Sequence, residues 1–328
     1  MEILLVKEPD LRRSIGLEEA ISAVEDAFTH LAKGEANLPP VLSLDMPEVR
    51  GEVHVKGAHI SGQKSLAIKV ANGFYDNALL GLPSGSGLMM VFSAQTGFPE
   101  ALLFDNAYLT DLRTAAAGAV AAKYLAQASP RTIGVIGTGV QGRFQVMALA
   151  KVRSFEKVLA YDLDESRLAA YVDEMPNIIG ADVMSAKDVE SIVKQSDVLI
   201  TSTPSTEPFV RADLLHPGLH ITAMGADAPY KQELESQVLA RADLIVCDHK
   251  GQCAERGELH HGLEDGTVSE DREIVELGDL TAGRHPGRTD DSQITVSDLT
   301  GVGVQDAAIA TLAYDKAIEG GFGSTIEV

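Results

Sequence analysis

The chain begins with one strongly amphipathic segment and then changes to short extended runs. Apolar residues recur at helical spacing between acidic residues over residues 17–33, and Gly34 follows as a helix stop signal. Pro39 and Pro40 then open an extended region. The strands predicted after it, separated by Gly and Asn turns, are residues 52–55, 66–70 and 88–93. We therefore expect the first third of the chain to be α+β.

A segment rich in alanine and glycine, residues 109–127, predicts a long helix that packs tightly against its neighbours. Thr110 is the candidate N-cap. Arg113 then falls in the first turn, where the helix dipole disfavours a cation. This conflict with a local rule indicates an anion bound nearby. The alternative is an arginine that simply reaches solvent.

From Arg131 onward, apolar strands alternate with helices. The predicted strands are residues 133–136, 158–161, 198–201, 219–223 and 244–247, separated by helices such as 166–174 and 186–195. This alternation is typical of a doubly wound parallel sheet, in which ligands lie beyond the carboxyl ends of the strands. Residues that directly follow two of these strands are therefore candidate ligand contacts: Ser202, Thr203 and Pro204 after one, and Met224, Gly225 and Asp227 after the other.

The remaining stretches carry weaker patterns. Residues 253–288 are polar and rich in Gly, His and charge, which predicts surface structure at a domain edge. His260 and His261 lie there, and we expect them to be exposed or locally hydrogen-bonded, with a catalytic role as the alternative. A helix is predicted over residues 306–319, and the final residues, GFGSTIEV, predict a terminal strand.

The most specific motif is a glycine turn between a strand and a helix, in TIGVIGTGVQGRFQV, residues 132–146. The GxGxxG spacing places Gly137 at a tight turn, Gly139 where the backbone approaches a pyrophosphate, and Gly142 at a close helix-to-strand contact. The intervening residues Thr138, Val140 and Gln141 complete the turn, whose N–H groups can meet phosphates at a helix N-terminus. The motif predicts a dinucleotide site.

An acidic residue strengthens that prediction and selects the cofactor. Asp162 ends the next predicted strand, close to the ~20 residues downstream that are typical of a carboxylate on the adenosine ribose. A carboxylate there accepts hydrogen bonds from the 2′-hydroxyl and repels a 2′-phosphate, so NAD is predicted rather than NADP. Nearby Arg167 keeps the phosphorylated cofactor open as an alternative, and a glycine-rich turn without a nucleotide is the other one.

Composition excludes several classes of protein. The 328 residues suit two domains, and a hydrophobic content of 45% allows a full core. A net charge of −21, from 48 acidic and 27 basic residues, disfavours nucleic acid and anionic membranes as partners. Neither a membrane-length apolar run nor a signal pattern is seen, so we expect a cytoplasmic protein. Cys247 and Cys253 form neither a disulfide framework nor a C-x-x-C pair; His249 between them permits a metal, but we predict none.

Five motifs together resemble one family. They are IKVANG at 68–73, LTDLRTAAAGAVAAKYLA at 109–126, GTGVQGRFQ at 137–145, GADAPYKQEL at 225–234 and DSQITVSDLTGVGVQD at 291–306. In this order they are similar to the ornithine cyclodeaminase and mu-crystallin family, and the sequence between them most resembles the ectoine-utilisation cyclodeaminase-like branch. The resemblance implies a Rossmann NAD-binding domain at 126–302. It also implies a substrate-binding and dimerisation domain at 1–125, completed by 303–328, through which a homodimer forms.

The resemblance also implies roles for single residues. Lys69 and Arg113 would hold a substrate carboxylate, and Asp227 would be the general acid/base at the substrate nitrogen. This set suits the chemistry, because an amino or imino acid must be aimed at the nicotinamide by its carboxylate and must exchange a proton at nitrogen. The further cofactor contacts implied are Ser84 near the nicotinamide, Lys231, Thr300 and Gly301.

Two departures from the ornithine-converting pattern concern the substrate. Val41, Leu42 and Ser43 follow the two prolines where that pattern has an arginine, with Arg50 as a possible substitute. Lys56 stands where that pattern has a glutamate, so the pocket changes sign and favours a second carboxylate over a distal ammonium.

Three functions follow from this comparison. The leading hypothesis is an NAD-dependent imine reductase or amino-acid dehydrogenase, with an acidic pair such as iminosuccinate and aspartate, in which Lys56 binds the second carboxylate. The alternatives are a cyclodeaminase that uses NAD catalytically on a diamino acid, and a non-catalytic binding protein of the mu-crystallin kind.

Overall fold

The computed structural model describes residues 2–328, except for the side chain of Ala78, and the chain divides into two compact units. The first comprises residues 2–113 and 302–328, and the second comprises residues 114–301. The chain passes from one unit to the other within the helix Tyr108–Leu125, whereas the predicted division falls at the end of that helix. Among the described helices, none combines the length and the apolar content needed to cross a membrane.

The first unit is a mixed sheet with helices on one face. Its strands are β1 (Glu2–Lys7), β2 (Ala36–Asn37), β3 (Leu42–Met46), β4 (Gly51–Ile60), β5 (Ser65–Phe74), β6 (Gly85–Ser93), β7 (Pro99–Phe104) and β16 (Ser324–Glu327). Its helices are α1 (Glu8–Ser14), α2 (Leu17–Ala32), the start of α3 (Tyr108–Leu125) and α11 (Gly303–Gly320). The strand order is β16-β1-β7-β6-β5-β4-β2, with β3 also paired to β4.

Most predicted elements of this unit are confirmed. The amphipathic segment forms α2, the three predicted strands form β4, β5 and β6 at greater length, and the terminal strand pairs antiparallel with β1. The prediction of Thr110 as an N-cap is wrong. Helix α3 begins at Tyr108, and the Asp105 carboxylate accepts the Leu109 N–H at 3.0 Å. Arg113 consequently lies in the second turn of α3 and not in the first.

The two faces of this sheet differ in cover. Helix α11 packs on α2 and on β4 and β5, and the side chains beneath it, such as Phe28, Ile60 and Met89, are fully buried. The opposite face of β5 and β6 carries cross-strand apolar pairs that are only half-buried: Leu66 with Phe92, Ile68 with Met90, and Val70 with Leu88. One face of the sheet therefore lacks a complete apolar cover within this chain.

The second unit is a parallel sheet of eight strands between helices. Its strands are β8 (Thr132–Ile136), β9 (Lys157–Tyr161), β10 (Asp182–Ser185), β11 (Val198–Thr201), β12 (His220–Ala223), β13 (Leu244–Cys247), β14 (Val275–Glu276) and β15 (Thr295–Asp298). Its helices are α4 (Val140–Val152), α5 (Glu165–Ile179), α6 (Val189–Gln195), α7 (Ser236–Arg241), α8 (Lys250–Arg256), α9 (Glu258–Glu264) and α10 (Leu277–Thr281), with most of α3.

The strand order is β10-β9-β8-β11-β12-β15-β13-β14, and every pair in it is parallel. The predicted doubly wound sheet is confirmed. Its order reverses between β8 and β11, which places a ligand crevice beyond the carboxyl ends of these two strands. The polar stretch after Cys253 contains α9 and α10, and His260 and His261 are locally hydrogen-bonded, as expected, to the carbonyls of Ala254 and Lys231.

The close approach of α11 to β4 leads to a stability prediction. A Cβ added at Gly303 would lie 2.3 Å from the Gly57 carbonyl oxygen, and main chain cannot yield easily. We expect Gly303→Ala to lower the free energy of unfolding by about 1–3 kcal/mol, measured by urea denaturation. In the control Gly85→Ala, the added Cβ would meet only the Asn72 carbonyl oxygen at 3.8 Å, so stability should be retained. Equal stability of the two variants would contradict the packing argument.

Candidate active site

The three glycines of the turn between β8 and α4 differ in their surroundings, and two of them are required by close contacts. Gly137 has φ +94°, and a Cβ there would lie 2.7 Å from the Ser202 carbonyl oxygen. A Cβ at Gly142 would lie 2.0 Å from the Gly137 carbonyl oxygen, so α4 can approach the turn only with glycine at this position. Gly139 differs from both, since a Cβ there meets nothing within 4 Å. The backbone at Gly139 therefore faces open space.

A cavity of about 650 Å³ lies beside this turn, a size typical of ligand sites. Its walls include Gly137 and Gly139, Asp162 after β9, and Ser202 and Thr203 after β11. The structure thus brings together, at the predicted end of the sheet, five of the residues that the sequence predicts to contact the cofactor. Thr138, Val140, Gln141 and Gly142 lie in the same turn or at the start of α4.

Asp162 joins the end of β9 to the glycine turn. Its carboxylate accepts hydrogen bonds from the Thr138 N–H at 2.7 Å and from the Thr138 hydroxyl at 2.8 Å, and it also accepts the Asp164 N–H at 2.9 Å. Arg167 lies 4.0 Å away and is half exposed. A carboxylate therefore stands in the cavity wall, with a half-exposed guanidinium beside it.

Five other predicted cofactor residues lie outside the lining of this cavity. Thr300 and Gly301 are buried and donate to the Asp248 carboxylate, the hydroxyl at 3.1 Å and the N–H at 2.6 Å. Met224 directly follows β12, and Lys231 lies further along the same loop, where it contacts Asp227. Ser84, in the first unit, is exposed just before β6, and its carbonyl accepts the Phe74 N–H.

Asp227 lies in the turn after β12 and is paired with a lysine. Its Oδ1 lies 2.8 Å from the Lys231 Nζ, and the Lys231 side chain is 5% exposed while that of Asp227 is 37% exposed. The neighbouring ammonium favours the ionised carboxylate. Asp227 is therefore an accessible carboxylate with an ammonium beside it, and a carboxylate can act as a proton acceptor.

In the first unit, two basic residues contact one carboxylate, and a third lies on the neighbouring strand. Lys69 Nζ on β5 and Arg113 Nε on α3 each lie 3.0 Å from Asp306 Oδ1 near the start of α11. Arg113 also donates from Nη1 to the Gln305 side-chain oxygen at 3.0 Å. Lys56 stands on β4 directly opposite Lys69. We call Lys56, Lys69, Arg113 and Asp306 the cation cluster.

The electrostatics of the cation cluster follow from burial. All four residues are less than 9% exposed. Burial lowers the pKa of Lys69 to about 7, and the charge of Arg113 adds to this effect, while Asp306 opposes it. Burial would raise the pKa of Asp306, but Arg113 and Lys69 outweigh it and hold that pKa below its usual value. In this buried cluster Lys69 and Arg113 contact a single carboxylate, so an anionic ligand would lower the cost of burying their charges.

Further polar residues continue along β4 on the same face as Lys56. His54 Nδ1 lies 3.0 Å from the Ser43 hydroxyl, and His54 Nε2 faces Glu52 at 3.6 Å. The Tyr75 hydroxyl donates to Glu52 at 2.6 Å. Arg50, considered above as a substitute for the missing arginine, instead pairs with Asp76 at 3.0 Å and is 67% exposed.

Two residues of the cation cluster region were not predicted as site residues. Asp306 and Gln305 end the last family motif, VGVQD, and the sequence indicates only that a helix begins there. Acidic and amide residues in the first turn of a helix are ordinary, so no local signal marks them. Their separation of more than 190 residues from Arg113 hides the contact.

The two cysteines approach each other inside the second unit. Ligand atoms of Cys247, Cys253 and Asp298 lie within 4.8 Å of one another, and all three residues are buried. Burial raises the pKa of the Cys253 thiol, which donates to Asp248 Oδ1 and to the Asp298 carbonyl at 3.3 Å. The Cys253 thiol thus has hydrogen-bond partners within the protein. That the site holds no metal stays a prediction.

Comparison with known proteins places these features in a family. A family model described as the ornithine cyclodeaminase/mu-crystallin family matches residues 2–321. A protein of Sinorhizobium fredii, named an uncharacterized cyclodeaminase, is 44% identical over 325 residues, which cover 98% of each chain.

Two solved structures are similar along the whole chain. The Δ(1)-pyrroline-2-carboxylate reductase of Thermococcus litoralis, in complex with NADH and L-proline, is 31% identical with a TM-score of 0.95, covering 99% of this chain and 100% of that one. The iminosuccinate reductase of Paracoccus denitrificans, in complex with NAD⁺, is 31% identical with a TM-score of 0.89, covering 100% of both chains. The resemblance predicted from the five motifs is confirmed, and the chain belongs to the ornithine cyclodeaminase/mu-crystallin family.

Proposed function

We propose that the protein is an NAD-dependent oxidoreductase that interconverts a small α-imino acid and its α-amino acid, with an acidic pair such as iminosuccinate and aspartate. The observation that carries this proposal is the cation cluster, in which buried Lys69 and Arg113 both contact the Asp306 carboxylate and Lys56 lies opposite Lys69. Two similar solved proteins are, by name, reductases of a pyrroline carboxylate and of iminosuccinate. The family's chemistry and the charge of this site therefore agree.

The residues of the second unit fit NAD. Gly139 leaves backbone open beside the cavity, and Asp162 presents a carboxylate suited to ribose hydroxyls. When bound, NAD exchanges a hydride with the substrate carbon. The residues that would hold it are Gly137, Thr138, Gly139, Val140, Gln141, Gly142, Asp162, Ser202 and Thr203. Ser84, Met224, Lys231, Thr300 and Gly301 are further proposed contacts, by the family resemblance.

Lys69 and Arg113 bind the α-carboxylate in this proposal. Asp306 and Gln305 orient the guanidinium from one side, so the planar group is held for a charge-assisted contact. Such anchoring aims the α-carbon and removes rotational freedom before the reaction. Lys56, across the strand pair from Lys69, binds the second carboxylate of an acidic substrate.

Asp227 exchanges the proton at the substrate nitrogen. Oxidation of an amine to an imine releases a proton, and reduction of the imine requires one, so a single accessible carboxylate serves both directions. Lys231 supports this role because its ammonium keeps the carboxylate charged between turnovers.

A cyclodeaminase is the second candidate, favoured by the 44% identity to a protein named as one. In that reaction a diamino acid closes a ring with loss of ammonia, and NAD is restored within the cycle. Release of ammonia without net change in NADH would identify it. Lys56 disfavours it, because a cation there repels the distal ammonium of such a substrate. Cofactor binding without turnover of any amino or keto acid would instead identify a mu-crystallin-like binding protein.

We also propose that the protein is a cytoplasmic homodimer. The half-buried apolar face of β5 and β6, which includes Ile68, Val70 and Met90, is suited to a second copy because an apolar sheet face is stabilised by losing contact with water. We further propose that the chain belongs to the ectoine-utilisation cyclodeaminase-like branch, because the sequence between its motifs resembles that branch.

The reaction can be tested by mixing the protein with NADH, oxaloacetate and ammonium, and following the absorbance of the reduced nicotinamide. We expect a loss of absorbance that requires ammonium, because the imine forms from the keto acid and ammonia. Asp227→Asn should slow it by about 10²–10⁴-fold while NADH still binds, since the amide cannot exchange the proton but its oxygen can still accept the hydrogen bond from Lys231. No loss with wild-type protein that binds NADH would instead favour the cyclodeaminase, to be tested with ornithine and related diamino acids.

The role of Lys56 is tested by reversing its charge. We expect Lys56→Glu to shift the ratio of kcat/KM between a dicarboxylic and a diamino substrate by on the order of 100-fold toward the diamino acid, because the sign of the distal site changes. Lys64→Glu makes the same charge change at an exposed position between β4 and β5, and should leave the ratio as it is. An unchanged ratio in Lys56→Glu would disprove the assigned role.

The lowered pKa of Lys69 leads to a pH prediction. Without ligand its pKa is about 7, and a bound carboxylate raises it, so between these two values the complex holds more protons than the free protein. Binding of succinate at about pH 8 should therefore take up a proton and weaken as the pH rises. Calorimetry in two buffers of different ionisation enthalpy measures this uptake. In Lys69→Arg the side chain stays charged, so binding should take up no proton. If the heat of succinate binding to the wild type were the same in both buffers, the prediction would be contradicted.

A further inference from the structure

Glu233, in the family motif GADAPYKQEL, is a fully buried carboxylate that holds two loops of the second unit. Its Oε1 accepts the N–H of Thr203 at 2.6 Å and the Thr203 hydroxyl at 2.8 Å. Its Oε2 accepts the Thr201 hydroxyl at 2.7 Å and the Gly225 N–H at 2.8 Å. Each oxygen thus meets one backbone N–H and one hydroxyl.

These contacts lie where the β-ladder of β11 and β12 ends. The last ladder pair is Thr201 with Ala223, and beyond it the two strands continue into separate loops. One loop carries Thr203 in the wall of the cavity, and the other runs from Gly225, whose carbonyl accepts the N–H of Asp227. A Cβ at Gly225 would lie 2.2 Å from the Thr203 carbonyl oxygen, so the loops are packed in direct contact.

We propose that Glu233 is a positioning residue that aligns the cofactor-facing loop with the turn that carries Asp227. This inference rests on the proposed function, in which the cavity binds NAD and Asp227 exchanges a proton. The side chain must be a carboxylate. Because each oxygen faces a backbone N–H, a glutamine in either orientation would set its NH₂ group against a donor that cannot rotate away.

Another carboxylate of the same unit provides a matched control. Asp197 Oδ2 accepts the N–H groups of Arg131 at 2.7 Å and Thr132 at 2.9 Å. These contacts lie at the amino ends of the strands, at the opposite edge of the sheet from the cavity. Asp197→Ala therefore removes two main-chain hydrogen bonds without touching either loop.

The experiment compares wild type, Glu233→Gln and Asp197→Ala by urea unfolding, by the Kd for NADH from titration of its fluorescence, and by kcat with oxaloacetate and ammonium at saturating NADH. We expect both variants to lose stability, but only Glu233→Gln to raise the Kd by about tenfold or more and to lower kcat. Thr201→Val removes one donor at nearly constant volume and should raise the Kd by a smaller factor, which keeps the test available if Glu233→Gln does not fold.

The outcomes separate the two hypotheses. If wild-type protein binds NADH, an unchanged Kd in both Glu233→Gln and Thr201→Val would overturn the positioning role alone. A rise in Kd for Asp197→Ala equal to that for Glu233→Gln would overturn it as well. Wild-type protein that binds no NADH would overturn the proposed function, and the positioning role with it.

Discussion

The excess of buried positive charge around Asp306 is the constraint on which the first unit depends. A basic side chain loses most of its hydration when buried, and a partner carboxylate offsets only part of that cost. Asp306 faces two such side chains at 3.0 Å, with Lys56 close by. The position of this carboxylate is set by the start of α11, where Gly303 packs against the main chain of β4. Backbone contact, charge and the proposed choice of substrate are thereby linked in one place.

The second unit uses buried carboxylates in a different way. Asp162 and Glu233 accept hydrogen bonds from backbone N–H groups and from threonine hydroxyls, and each ties together segments that border the cavity. Backbone donors near a nucleotide site usually attract the anionic ligand itself. Here two acidic side chains hold the surrounding loops, so the open backbone at Gly139 is presented on a rigid frame.

The second unit was predicted from sequence more fully than the first because its signals are local. The spacing of Gly137, Gly139 and Gly142 lies within a few residues, and buried parallel strands form continuous apolar runs. The start of α3 was missed because Asn106 and Ala107 adopt positive φ angles, 48° and 70°, which let Asp105 cap the helix in place of Thr110. Asp306 was missed because it contacts Arg113 only in the tertiary structure. The spacing of residues within one helix does not indicate which residues of another helix lie close to it.

The acidic surface and the proposed acidic substrate are compatible because the two fields have different ranges. The net charge of −21 belongs mainly to exposed side chains, whose interactions are screened within about 8 Å at physiological ionic strength. The cation cluster is buried, where screening is weak and each contact is stronger than in water. In the proposed function the surface would slow the approach of a dicarboxylate, whereas the buried cations would determine how tightly it is held. Added salt would relieve the first effect and leave most of the second, so the buried charges, and not the net charge, would select the proposed substrate.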